Sequence, residues 1–111
     1  MQLQYEVVGN TLIVKFNGEL DHHVAKDIRT EIDETINRRK TRNLILDLNN
    51  MSFMDSSGVG VIIGRYKRIK ELGGKVSVIH VTAQIDKIFT LADLYNIVGK
   101  HKDKNKALNC M

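Results

Sequence analysis

The chain has 111 residues, of which 42% are hydrophobic and 27% charged, with a formal charge of +4. That length suits one small domain, no segment approaches the ~20 apolar residues of a membrane span, and a lone Cys110 excludes an internal disulfide. With aromatics at only 5% and the basic residues gathered in Arg38–Arg42 and in Lys100, Lys102, Lys104 and Lys106, no stacking surface for nucleic acid is expected.

The opening Met1–Glu6 has neither a basic n-region nor an apolar h-region, so no signal peptide is expected, and the lone Cys110 makes a reducing cytoplasm the expected home. Leu3, Tyr5 and Val7 alternate with polar residues and predict a strand. Gly9-Asn10 predicts a turn, and Leu12–Phe16 a second strand paired antiparallel with the first. Asp21 is placed as the N-cap of a helix running to Arg39, with Val24, Ala25, Ile28, Ile32, Thr35 and Ile36 as its buried stripe.

Asn43–Leu48 is short and nearly all apolar, as a central strand covered on both faces would be. Asn49–Met54 reads as a loop leading to a helix over Ser56–Leu72, ended by Gly73-Gly74. Val59, Ile62, Ile63, Tyr66, Ile69 and Leu72 form its apolar stripe. Lys75–His80 predicts a strand, and Thr82 caps a helix over Ala83–Ala92 with Ile85, Ile88, Phe89 and Leu91 as burial candidates. Ile97-Val98 reads as a short edge strand, and the residues from Asp103 as a weak helix or a frayed end. The expected fold is α/β: a mixed four- to five-stranded sheet flanked by helices over residues 1–99, then a lysine-rich tail over 100–111.

The most informative stretch is Asp55-Ser56-Ser57-Gly58, where a strand gives way to a helix. The first N–H groups of a helix lack internal partners, and the helix dipole adds partial positive charge there. A phosphate on serine would be tolerated locally and would alter the surface by about −1.5 to −2 charges. Plain capping is the simpler reading of the serine pair. Gly58, Gly60 and Gly64 weigh against it, since glycine in a helix costs up to ~1 kcal/mol against alanine. Gly60 and Gly64 share a face that is either a docking strip or a site of tight helix–sheet packing.

Other chemistries fail on spacing. Gly64 is followed by Arg65-Tyr66 rather than the Lys-Ser/Thr of a phosphate-binding loop, and neither serine sits in Gly-x-Ser-x-Gly. Asp21-His22-His23 has no further ligands at metal spacing, and adjacent helical residues diverge by about 100°. No catalytic residue, metal or cofactor is expected.

Gly18–His23 together with Ser52–Lys67 closely resembles the anti-sigma-factor antagonists of the STAS family, on the sporulation sigma-F side, over about residues 3–98. The resemblance implies a non-enzymatic, cytoplasmic phosphoprotein that regulates transcription by partner switching. Its unphosphorylated form would bind an anti-sigma factor, itself a serine kinase, and so free a sporulation sigma factor. That kinase would phosphorylate Ser57 with ATP and switch binding off, and a serine phosphatase would restore the active form. Asp21, Asp55, Ser56, Ser57, Gly58, Val59 and Gly60 fall on the implied partner surface. No nucleic acid or membrane partner is implied. The alternative is a STAS-like module that holds a nucleotide, its phosphate at the same helix start.

Overall fold

Gly9, at φ +58°, turns the chain between β1 (Gln2–Val8) and β2 (Thr11–Leu20), which pair antiparallel from Val8↔Thr11 to Gln2↔Asn17. The computed structural model describes residues 1–111. From β2 onward every strand is parallel to its neighbour: β3 (Asn43–Met54), β4 (Val76–Ile79) and β5 (Gly99–His101), in the spatial order β1-β2-β3-β4-β5. Parallel neighbours require crossovers, and these carry α1 (Ala25–Arg39), α2 (Ser56–Glu71) and α3 (Ala83–Leu91). The result is a single α/β domain with a five-stranded mixed sheet and four helices, the last being α4 (Lys104–Asn109).

The period-2 alternation of β2 and β3 sends Leu12, Val14, Phe16, Leu44, Leu46 and Leu48 into one core with Ile28, Ile32 and Ile36 of α1 and Ile62 and Ile69 of α2. Ile85 and Phe89 of α3 close the same core. On the opposite sheet face, Ile13, Ile45 and Ile79 are covered by Ala107 of α4. β3 is therefore buried on both faces, as its continuous apolar run predicts.

Several expected boundaries move. Asn49–Met54 is not a loop: β3 continues to Met54 because β2 continues beside it to Leu20. Irregular pairing between Lys15/Asn17 and Gly18/Glu19 breaks the alternation that makes a strand legible, and Asn50 donates to the Asn17 side chain at 2.9 Å across the pair. Asp21 does not cap α1. Its carbonyl accepts from Val24 and Ala25 N–H in a separate turn, and the helix begins at Ala25. Ile97-Val98 is not the edge strand: both residues donate to the Leu94 carbonyl and close a short turn of 3-10 helix, and β5 starts at Gly99. A Cβ at Gly99 would lie 3.1 Å from Ser77 Oγ, so glycine lets β5 approach β4. Leu91 is 86% exposed, since it sits two residues, about 200°, round the helix from Phe89.

The lysine-rich end contributes β5 and α4. Asp103 caps α4 by accepting from Lys106 N–H at 2.9 Å, and Lys104 Nζ lies 3.3 Å from Glu6 of β1.

Candidate functional site

Leu20 and Met54 are register partners at the carboxyl ends of two adjacent parallel strands. The segments that leave those strands, Asp21–Val24 and Asp55–Gly58, therefore lie side by side, at the edge where open α/β sheets commonly place their sites. Asp55 joins them. Its Oδ1 accepts from the backbone N–H of Ser57 at 2.9 Å and of Gly58 at 3.1 Å, and its Oδ2 accepts from His22 N–H at 3.2 Å. Desolvation alone would push this carboxyl up. The N–H groups of Gly58, His22 and Ser57, with the nearby His22 ring, outweigh it and hold the acid below the ordinary carboxylate range.

Asp55, not either serine, is thus the cap of α2. Ser56 and Ser57 stand in the first helical turn with their hydroxyls free of intramolecular hydrogen bonds; Ser56 is exposed and Ser57 half-buried. No base is poised on Ser57, because both carboxylate oxygens of Asp55 are already committed. The same commitment occupies the N–H groups of Ser57 and Gly58, which a nucleotide phosphate at this helix start would otherwise use.

The three helical glycines divide. Gly58 is buried, and a Cβ there would lie 2.3 Å from Met54 Cγ and 2.7 Å from the Leu20 carbonyl oxygen. It is the residue that lets α2 start hard against the ends of β2 and β3. Gly60 and Gly64 would meet nothing within 4 Å, so packing inside the domain does not account for them. They leave a side-chain-free strip on the outer side of α2. Val59 lies between, half-buried against the main core.

Asp21 holds the facing turn by accepting from His23 N–H at 3.0 Å, with His23 Nδ1 3.6 Å from the same oxygen. The His22 and His23 rings are exposed and lie 4.0 Å apart, and no group of three metal-ligating side chains forms anywhere in the chain.

A shallow cleft of about 360 Å³ opens between the starts of α1 and α2, lined by His22, Ala25, Lys26, Arg29, Ser57, Gly60 and Val61. The cationic wall, Lys26 and Arg29, is not apparent from periodicity, which assigns both to the solvent face of α1. Only the parallel alignment of α1 with α2 turns that face toward Ser57. Further along the two helices, Arg65 Nε lies 2.8 Å from Asp33 Oδ1 as an ion pair, with the Arg65 side chain only 6% exposed and neither Nε nor Nη1 in a well-formed hydrogen bond. Burial lowers the Arg65 pKa, and Asp33 opposes that shift.

A family model described as STAS domain matches residues 2–107. This chain belongs to the STAS family. A relative named anti-sigma F factor antagonist, from Paenibacillus polymyxa, is 39% identical over 108 residues, 97% of this chain and 92% of its own. Two solved structures share the STAS architecture at a TM-score of 0.74. The anti-sigma factor antagonist SpoIIAA in its unphosphorylated form is 27% identical, covering 96% of this chain and 94% of its own. The Bacillus cell fate determinant SpoIIAA in the phosphorylated form is 28% identical, covering 97% of each. The names of these relatives are those of regulatory binding proteins, not enzymes. No helix of this STAS domain is long and apolar enough to cross a membrane.

Proposed function

We propose that this protein is an anti-sigma-factor antagonist of the sporulation type, whose hold on its partner is set by a phosphate on Ser57. The unmodified form binds an anti-sigma factor that is also a serine kinase, and so releases the sigma factor. The observation that carries this reading is the free, half-buried Ser57 hydroxyl at the start of α2, beside a strip bared by Gly60 and Gly64 that the domain itself does not use. Asp21, Asp55, Ser56, Gly58, Val59 and Gly60 belong to this surface in different ways. Asp55, Asp21 and Gly58 shape it, Val59 anchors it to the core, and Ser56 and Gly60 face outward.

The partner supplies the base, the magnesium ion and ATP. Its base takes the Ser57 proton, the Oγ–P bond forms, the bond from the γ-phosphorus to the bridging oxygen breaks, and ADP leaves. A serine phosphatase reverses the change by hydrolysis. The added dianion stands beside Asp55, against a partner surface that had accepted a neutral hydroxyl. Like-charge juxtaposition at an interface costs several kcal/mol, and about 1.4 kcal/mol is tenfold in affinity, so release needs no refolding. Support for the modification comes from a relative of known structure in both unphosphorylated and phosphorylated forms.

Incubation with the cognate kinase and ATP, followed by mass spectrometry, tests the acceptor. Phosphate on Ser57 is expected; phosphate on Ser56, or none, overturns the assignment.

A further inference from the structure

Phosphorylation of Ser57, on the reading just given, places a dianion in the cleft between α1 and α2. We infer that Lys26 and Arg29 are the built-in receptor for that phosphate, so that the modified group is latched within the chain rather than left free in solvent. Three observations carry this. Lys26 and Arg29 line the same cleft as Ser57, one helical turn apart on α1, and Gly60 leaves that cleft open on the α2 side.

Neither cation has an ionic partner in the unmodified protein. Three acids of the same region have other partners: Asp33 has Arg65, Asp21 has His23 N–H, and Asp55 has the N–H groups of His22, Ser57 and Gly58. Asp27, the remaining acid in the first turn of α1, does not line the cleft. Both cations are exposed and solvated, so their mutual repulsion is weak, and both remain available to an anion placed in the cleft.

The receptor does not depend on the start of α2, whose N–H groups at Ser57 and Gly58 already serve Asp55. It depends on side chains of the preceding helix. Around the phosphate stand Lys26 and Arg29 from α1 and the His22 ring from the turn before it; Arg65 of α2 adds positive charge near Arg29, and Asp55 and the Arg65-paired Asp33 oppose them. Phosphorylation then makes two changes at once. It adds a dianion, and it removes two free cations from the surface facing the partner.

Phosphoserine incorporated at position 57 during synthesis makes the test independent of any kinase. The second ionisation of the phosphate is followed by 31P NMR between pH 4 and 9. An ordinary phosphoserine titrates near pH ~6. With both cations present it should titrate lower by about half a unit or more, and in the Lys26→Gln/Arg29→Gln double variant it should return to about 6 or above, since Asp55 remains. Both side chains are exposed, so the fold should be unaffected. Lys67→Gln, on the outer side of α2, should leave the value unmoved.

An identical titration in wild type and double variant, or an equal shift from Lys67→Gln, overturns the latch. Binding of the same phosphoserine protein to the anti-sigma kinase tests the switch separately. Lost binding with an unmoved titration removes the latch alone, and retained binding with a shifted titration removes the switch alone.

Discussion

The Asp55 carboxylate accepts the backbone N–H of His22, 33 residues earlier in the chain, and through it the ends of β2 and β3 are held as one surface. Its other oxygen holds the N–H groups of Ser57 and Gly58. A single acid thereby sets the helix start, the position of Ser57 and the turn carrying the histidine pair.

Asp55→Ala should lower the melting temperature by several degrees, because a helix cap and a link between segments are lost together. Asp55→Asn should cost less, as asparagine still caps. The folded pKa of Asp55 is depressed, so its contribution is present above the unfolded value of about 3.9 and is lost as pH falls through the folded value. The stability gap between wild type and Asp55→Asn should therefore close as pH falls from 5 toward 2 in thermal melts. A gap independent of pH contradicts this.

Gly58 and Gly60 should respond oppositely to alanine. At Gly58 the new methyl meets Met54 and the Leu20 carbonyl, and a loss of about 1–3 kcal/mol is expected from urea denaturation. At Gly60 or Gly64 the methyl meets open space, and the helix gains up to ~1 kcal/mol. Those two variants should nevertheless bind the anti-sigma kinase more weakly, since the bare strip is filled. Unimpaired binding by Gly60→Ala/Gly64→Ala would remove the strip from the interface.

Asp33→Asn leaves the Arg65 guanidinium buried without its counter-charge. It should destabilise the domain more than the double change Asp33→Asn/Arg65→Met, which removes both charges and fills the same space. Chemical denaturation of the three proteins decides; a double variant less stable than the single contradicts the account.

Much of this was readable in the chain. Alternation in β2, the apolar run of β3, the glycine stop at Gly73 and the Thr82 cap of α3 are local signals, and each element lies where those signals put it. The Asp55–Gly58 junction was legible for the same reason. What depended on partners in space was not. Asn49–Met54 extends β3 only because β2 lies beside it, Asp21 belongs to a separate turn, and Arg65 falls at helical spacing on the buried face with Ile62 and Ile69, where its charge argues against burial until Asp33 of α1 is seen beside it. The cationic side of the cleft needed α1 and α2 to be placed in parallel. No single helix records that alignment.

The affinity of the anti-sigma kinase for unmodified protein and for protein carrying phosphoserine at position 57, measured side by side by calorimetry, is the most direct test. The account predicts at least a tenfold weaker complex for the modified form, corresponding to about 1.4 kcal/mol or more. Equal affinities would contradict it.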